Sequence, residues 1–276
     1  MERTSNQPPR AVILARGLGT RMRRADQGAG IADEQARVAD TGVKAMIPIG
    51  RPFLDFVLSA LADAGVRQIC LVIGPEHDAV RTYYTQTVHP VRVEVAFAIQ
   101  QKPLGTADAV VAAAPVVGGD DFLVLNSDNY YPVDAFRALV RMDGAGLVAF
   151  GRDAMVRDSN VPADRVRQFA AVRIADDDSL IEVVEKPDEA TLASFGSDVF
   201  LSMNCWRFTP AVLDACRRVA PSPRGELEIP DAVRLAQRES GVRFAVARMH
   251  AGVLDLSSRG DISEVAARLS GVQVNL

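Results

Sequence analysis

The chain has 276 residues, of which 48% are hydrophobic and 24% are charged, and its formal net charge is −4 at pH 7. This composition is typical of a globular protein, and the negative net charge gives no basic surface for nucleic acid. The sequence contains no apolar run of the roughly 18 residues that a membrane span needs. An anionic substrate would have to be held by local cations, since the field of the whole chain does not attract it.

The first half of the chain alternates short apolar runs with helical patterns. Strands are predicted at 11–15, 69–73, 92–97 and 122–126, and helices at 53–64, 77–85, 105–114 and 133–141. Strand–helix alternation at this spacing is typical of right-handed βαβ units with a mostly parallel sheet. Ligands of such sheets bind beyond the carboxyl ends of the strands, where residues 14–15 and 126–128 would emerge.

The pattern changes after residue 145. Longer alternating runs at 145–151, 168–174, 179–184 and 199–208 predict antiparallel or mixed strands that extend over the same edge, and helices follow at 210–219, 229–239 and 260–269. No internal repeat is present. We predict a single domain over 1–276, with one part at 10–145 and a second at 146–262.

The turn after the first predicted strand is the most informative segment. It reads Leu14-Ala15-Arg16-Gly17-Leu18-Gly19-Thr20-Arg21, and Lys44-Ala45-Met46-Ile47-Pro48-Ile49 follows. Glycines let backbone N–H groups approach an oxyanion, and nearby cations neutralise it. The spacing is neither that of the P-loop nor that of the dinucleotide fingerprint, which disfavours a Rossmann dehydrogenase. The turn therefore predicts a phosphate site of another kind.

Two carboxylates could add a cation to this site. Asp128 follows the predicted strand at 122–126, and Asp255 ends the segment at 252–255. Mg²⁺ takes a few carboxylates and completes its shell with water and phosphate oxygens. Taken alone, each Asp is more typical of a turn or a helix cap. Beside a phosphate-binding turn, the two together favour a Mg²⁺ site.

These motifs resemble the signature of the sugar-1-phosphate nucleotidyltransferases, Leu-Ala-Gly-Gly-x-Gly-Thr-Arg followed by Lys-x-x-x-Pro-Ile. Segments similar to later motifs of that family stand in the same order at 100–109, 185–187, 202–208 and 223–229. The resemblance covers roughly 10–262 and favours the glucose-1-phosphate thymidylyl- and uridylyltransferase branch. It implies a Rossmann-like three-layer α/β/α mixed sheet of the GT-A-like type, with a β-rich sugar-binding extension. No hexapeptide repeats follow residue 255, so we expect no C-terminal β-helix of the kind that some relatives carry.

The resemblance also implies roles for individual residues. The catalytic residues would be Arg21, Lys44, Asp128 and Lys186. The nucleotide would be bound by Leu14, Ala15, Gly17, Gly19, Thr20, Arg21, Gln100, Gly105 and Thr106. The sugar phosphate would be bound by Asn129, Ala170, Glu185, Lys186 and Asn204. Mg²⁺ would be held by Asp128 and Asp255.

The implied reaction is in-line attack of a sugar 1-phosphate oxygen on the α-phosphorus of a nucleoside triphosphate, with pyrophosphate leaving. Such transfers depend on positioning and charge neutralisation. Arg21 would clamp the triphosphate, Lys44 would lie near the α-phosphate, and Lys186 would orient the sugar phosphate. UTP or dTTP is favoured because Gln100 and Gly105 resemble that branch. A cytidylyl- or guanylyltransferase, or an enzyme for a modified sugar or cyclitol phosphate, stays open, and a homo-oligomer is expected.

Three departures from the family pattern affect this interpretation. Arg16 replaces the first glycine, so its side chain could reach the triphosphate or point outward from the surface. Residues 23–43 hold about a dozen inserted residues, expected as a mobile lid or a surface excursion. Phe169-Ala170 stands where the family has an aromatic–glycine pair, so that the Ala170 methyl would crowd the sugar. These departures keep a non-catalytic nucleotide-sugar sensor open as a rival.

The remaining residues give weaker signals. Cys70, Cys205 and Cys216 stand in apolar contexts without metal or redox spacing, which predicts buried free thiols in a reducing compartment. The first ten residues are polar and include two prolines, so no secretory leader is predicted. We expect a cytoplasmic protein. Trp206 is expected in the core.

Overall fold

A mixed β-sheet forms the centre of the protein. A computed structural model describes residues 8–24, 26 and 30–276. The strands are β1 (Arg10–Leu14), β2 (Gln68–Ile73), β3 (Glu94–Ile99), β4 (Phe122–Asn126), β5 (Asn129–Tyr130), β6 (Gly146–Gly151), β7 (Ala170–Ile174), β8 (Leu180–Val184), β9 (Phe200–Phe208), β10 (Ala245–Met249) and β11 (Leu254–Asp255). The main sheet has the order β10-β6-β9-β4-β1-β2-β3, while β5 and β11 pair separately.

Helices connect and cover these strands. They are α1 (Thr20–Arg23), α2 (Asp33–Thr41), α3 (Phe53–Asp63), α4 (Asp78–Thr82), α5 (Thr106–Ala112), α6 (Ala114–Val117), α7 (Val133–Arg141), α8 (Arg152–Asp158), α9 (Ala163–Val166), α10 (Glu189–Ser194), α11 (Pro210–Arg218), α12 (Ile229–Ser240) and α13 (Ile262–Leu269). Short 3₁₀ turns lie at Lys44–Met46 and Arg259–Asp261, and a π turn at Tyr83–Thr87 continues α4. Across the described ranges, no helix combines the length and apolarity that a membrane crossing requires.

The main sheet is mostly parallel, as predicted. Strands β3, β2, β1 and β4 run parallel to one another, and β9 runs antiparallel to both β4 and β6. The expectation that 145–151 and 199–208 belong to an extension outside the sheet is wrong, because β6 and β9 lie within it. Alternating patterns do not specify which sheet a strand joins. Among the described strands of the main sheet, β7 and β8 lie off this order. They pair with each other, and β7 also pairs with β9, where Ala170 lies opposite Ser202.

Alternate residues of β1 face two different cores. Ala11 and Ile13 pack on the side of α3 and α7, while Val12 packs on the side of α5, α11 and α12. Successive side chains of a strand point to opposite faces, and helices on both faces require a nearly continuous apolar strand. The predicted three-layer α/β/α arrangement is confirmed.

The insertion at 23–43 is more regular than the loop that the sequence predicts. Helix α2 occupies its carboxyl half, begins with Asp33 and Glu34, and ends at Gly42 in the left-handed region. The Gln35 amide donates to the Pro48 carbonyl at 2.8 Å and anchors the helix. The expectation of a loop is therefore wrong for α2. Residues 25 and 27–29 lie outside the described residues, as do the first seven, on which the leader prediction depends.

Two predictions about buried side chains are confirmed. Cys70, Cys205 and Cys216 are free and buried. Burial raises the pKa of the Cys70 thiol to about 12, which keeps it protonated and inert. Trp206 is fully buried between Phe208 and Phe244.

Candidate active site

A cleft of about 380 Å³ opens beyond the carboxyl ends of β1 and β4. The predicted residues along it are Leu14, Ala15, Gly17, Thr20, Lys44, Gln100, Gly105, Thr106, Asp128 and Asn204. A second recess of about 510 Å³ is lined by Arg21, Glu185, Lys186, Asn204 and Asp255, among others. Thr106, Asn204 and Glu226 border both spaces. The structure therefore brings most of the predicted site residues to two adjoining parts of one groove.

The turn after β1 requires glycine at position 19. Gly19 has φ of +60°, in the left-handed region, and a Cβ added to it would overlap the backbone of Gly42. A Cβ added at Gly17 would meet no atom within 4 Å, and Gly17 does not have a left-handed φ. Gly19 is thus needed for close packing of the turn against the end of α2, whereas Gly17 is exposed in the cleft.

We expect Gly19→Ala to lower the free energy of unfolding by at least about 1–2 kcal/mol, because a left-handed Cβ is strained and the overlap with Gly42 must be relieved. Gly17→Ala is the matched control, with an expected change within about 0.5 kcal/mol. Urea unfolding of both variants measures the difference. Equal stabilities would contradict the packing role of Gly19.

Lys44 and Asp128 form an ion pair in the cleft. Lys44 lies in the 3₁₀ turn that follows α2, and its Nζ donates to Oδ2 of Asp128 at 2.7 Å. The side chains are 15% and 23% exposed, so the pair is largely shielded from water. A cation and a carboxylate are thereby held in fixed positions in the lining of the cleft.

Asp255 is buried beside this pair. Strand β11 places it opposite Asn129 of β5, and its Oδ1 accepts a hydrogen bond from Asn129 Nδ2 at 3.0 Å. Its Oδ2 lies 3.2 Å from the Arg165 guanidinium, which also binds Asp261 at 2.7 Å. Burial, followed by the charge of Asp128, raises the pKa of Asp255 to about 6. The two predicted metal ligands are therefore electrostatic neighbours.

The donor set at this position fits a hard cation. In the part of the chain that the structure describes, no three His, Cys, Asp or Glu residues are grouped to hold a metal ion. Asp128 and Asp255 would then supply two carboxylates, and water and phosphate oxygens would complete the shell, as Mg²⁺ accepts. Burial, and then the charge of Asp128, raise the pKa of Asp255 and disfavour its ionised form, which a bound divalent cation would favour again.

The second recess contains two residues with unusual backbone conformations. Lys186, which follows β8, has φ of +46°, and Asn204 within β9 has φ of +54°. Left-handed backbone is costly for residues other than glycine, and it is concentrated at functional sites. Burial raises the pKa of the neighbouring Glu185, whose carboxylate lies 3.6 Å from Arg224.

Gln100 is held at the opposite end of the groove. Its side chain is almost fully buried, and its Nε2 donates to Asp108 Oδ2 at 2.7 Å and to the Gly105 carbonyl at 3.1 Å. Gly105 has φ of +128°, and a Cβ there would overlap the backbone of Leu227. Both predicted base-reading residues are therefore fixed in place by their surroundings.

Three predicted residues lie elsewhere than expected. Arg21 is exposed on the second recess and not in the first, so the structure places it on the side of Lys186. Asn129 is buried against Asp255 and away from the recess. Ala170 is buried in the core, so its methyl does not crowd the recess, and the ring of Phe169 lines that wall instead.

Arg16 lines the cleft and is not the outward-pointing surface residue that was one of its two expected positions. Its φ is not positive, its side chain is only 9% exposed, and it does not point outward. Its Nε and Nη2 atoms each lie 3.3 Å from one carboxylate oxygen of Glu76, and Nη1 donates to the Gln100 carbonyl. The guanidinium is therefore drawn towards the Gln100 end of the cleft by acceptors from two other loops.

A model of the nucleotidyl transferase family matches residues 10–266. The chain belongs to the nucleotidyl transferase family. A UTP–glucose-1-phosphate uridylyltransferase of Haloferax volcanii, AglF, is 27% identical over 262 residues, which are 94% of this chain and 96% of that protein. A glucose-1-phosphate thymidylyltransferase of Streptomyces griseus is 30% identical over 226 residues, which are 82% of this chain and 56% of that protein.

The fold comparison agrees with this family. The structure of a UDP-glucose pyrophosphorylase complexed with UDP-glucose superposes with a TM-score of 0.71 at 15% identity, covering 97% of this chain and all of that one. The predicted nucleotidyltransferase fold is confirmed. The chain spans about half the length of the first curated relatives that it matches.

The sequence-based search missed Arg165 and Glu76. Arg165 touches Asp255 from 90 residues away, and Glu76 touches Arg16 from 60 residues away. No local motif surrounds either residue, so only the tertiary fold identifies them.

Proposed function

We propose that this protein transfers a nucleotidyl group from a nucleoside triphosphate, with UTP or dTTP favoured, to a sugar 1-phosphate, and releases pyrophosphate. The observation that carries this proposal is the shielded Lys44–Asp128 pair beside the glycine turn, in a cleft that adjoins the recess of Lys186. Membership of the family and the printed activities of AglF and the Streptomyces griseus relative support it.

The chain's residues divide the work of positioning. Lys44 holds the α-phosphate and neutralises charge as the attacking oxygen approaches. Lys186 orients the sugar phosphate in the second recess, and Arg21, exposed at that recess, contacts the phosphates from its outer side. Preorganised charges of this kind act without rearranging during the reaction. No covalent nucleophile is needed.

Asp128 and Asp255 would hold Mg²⁺ in this proposal. The bound cation would neutralise phosphate charge in the transfer. Asn129 and Arg165 orient the Asp255 carboxylate, each through one of its oxygens. Glu185 and Asn204 border the sugar recess and offer hydrogen-bonding groups for sugar hydroxyls.

We further propose that the protein works in the cytoplasm as a homo-oligomer, without nucleic acid or membrane partners. The net charge of −4 disfavours nucleic acid as a partner, and the buried free thiols support a reducing compartment. The family resemblance supports the homo-oligomer.

Pyrophosphate release by the purified protein tests the function. The five common nucleoside triphosphates are crossed with a panel of sugar 1-phosphates, with and without Mg²⁺. We expect Mg²⁺-dependent release with UTP or dTTP and a hexose 1-phosphate. Release only with CTP or GTP, or only with a modified sugar or cyclitol phosphate, would overturn the preferred branch. Triphosphate binding without release across the panel would contradict the enzyme and support a sensor.

A further inference from the structure

The Arg16 side chain joins the carboxyl ends of three neighbouring parallel strands. Arg16 belongs to the turn after β1, Glu76 to the loop after β2, and Gln100 directly follows β3. The guanidinium binds the Glu76 carboxylate with two nitrogens and donates its third to the Gln100 carbonyl. Gly74 leaves the required space, because a Cβ at that position would overlap this guanidinium and the Glu76 carboxylate.

This bridge lies where the cleft would receive a nucleobase. Arg16 and Gln100 both line the cleft, and the Gln100 amide nitrogen is already engaged by Asp108 and Gly105. Asp108 and the Gly105 carbonyl only accept hydrogen bonds, which fixes the amide orientation and leaves Oε1 as the acceptor. Every common base carries an N–H on its Watson–Crick edge, so this acceptor alone cannot select among them.

The dimensions of the base end can supply the selection that this acceptor lacks. A purine places its Watson–Crick edge one ring farther from the ribose than a pyrimidine does. A reader residue whose backbone cannot retreat would leave too little depth for a purine. Arg16 restrains the Gln100 backbone directly, and its own side chain occupies part of the wall.

We propose that Arg16 is a positioning residue that sets the depth of the nucleobase end and makes the cleft selective for pyrimidine over purine triphosphates. This inference rests on the proposed function in one respect, that the cleft binds a nucleoside triphosphate. Arginine suits the task because its planar fork binds a carboxylate with two nitrogens and still donates a third hydrogen bond to a carbonyl, whereas the ammonium of lysine is a point charge without this fixed geometry.

The test compares wild type with Arg16→Gly, Arg16→Lys and Glu76→Gln. Calorimetry gives Kd for UTP and GTP, and pyrophosphate release gives kcat and KM. We expect Arg16→Gly to shift the preference towards GTP, so that the ratio of GTP affinity to UTP affinity rises by about tenfold. The change should appear in Kd and KM, with little change in kcat. Arg16→Lys and Glu76→Gln should shift it less in the same direction. Arg137→Ala, which removes an exposed Arg137–Asp134 pair, is the control and should leave the preference unchanged.

An unchanged GTP-to-UTP ratio of Kd in all three variants would overturn the role of Arg16. If Arg16→Gly fails to fold, the same ratio is measured with Arg16→Lys and Glu76→Gln. Binding with an altered ratio but without pyrophosphate release would support the role of Arg16 and reject the proposed enzyme. Absence of any triphosphate binding by wild type would overturn both.

Discussion

Replacing Lys44 with alanine is expected to lower kcat for pyrophosphate release by about 10²–10³-fold, which corresponds to about 3–4 kcal/mol in the barrier. The Nζ of Lys44 is held 2.7 Å from Asp128 in a largely water-shielded cleft, so its charge is in position before the reaction begins. Steady-state kinetics with saturating Mg²⁺ and the best substrate pair measures the loss. Circular dichroism should show an unchanged fold.

The matched control removes a cation from an ion pair outside the cleft. Arg81 and Asp78 form such a pair with side chains 43% and 80% exposed, and Arg81→Ala should leave kcat within about twofold, since exposed pairs contribute little. Lys44→Arg should also be poorly active, because a planar guanidinium cannot replace the compact ammonium. Turnover of Lys44→Ala close to that of wild type would reject the catalytic role.

The parts of the site that sequence predicts are those set by sheet topology. Parallel strands must end at one edge, so the turn after β1 and Asp128 after β4 are brought together without knowledge of any side-chain contact. Lys44 required the family motif as well, because an insertion of about a dozen residues separates it from the glycine turn. The helix α2 within that insertion was not predicted, since short polar segments carry little periodicity.

The parts that sequence does not predict depend on long-range side-chain contacts. Arg16 could have bound several acceptors, and only the loop after β2 decides that it meets Glu76. The position of Ala170 likewise depends on its pairing with Ser202, which turns its methyl into the core. Neither pairing has a local signature.

The ratio of lysine to arginine in the chain is a further signal of the site. Only three of the 31 basic residues are lysines, and they are Lys44, Lys102 and Lys186. The others are all arginines. Lys44 and Lys186 border the groove, and Lys102 lies in the loop between Gln100 and Gly105. Because a compact ammonium and a planar guanidinium are not interchangeable at a phosphate, this bias would have singled out those segments.

Replacing Asp255 with asparagine is expected to lower turnover strongly and at the same time to stabilise the metal-free protein at pH 7.5. Burial and the nearby Asp128 charge raise the pKa of Asp255 from 3.8 to about 6. The ionised form is therefore disfavoured in the folded state, and asparagine removes that charge while Asp261 still holds Arg165. Loss of one of two carboxylates should lower the Mg²⁺-dependent rate by at least about 10²-fold, as for other preorganised charges.

The pH dependence separates this electrostatic cause from a packing effect. A carboxyl whose folded pKa is raised keeps its proton in the folded state after the unfolded chain has lost it, so its contribution to stability falls as pH rises from about 4 to about 6. Thermal unfolding without metal should therefore show Asp255→Asn melting above wild type at pH 7.5, with the difference shrinking at pH 4.5. Asp134→Asn, at an exposed carboxylate, should show no such pattern. A variant that melts below wild type at pH 7.5 would mean that the hydrogen bonds of Asp255 with Asn129 and Arg165 outweigh the cost of its burial and its repulsion by Asp128. The acidic pair would then be a structural element.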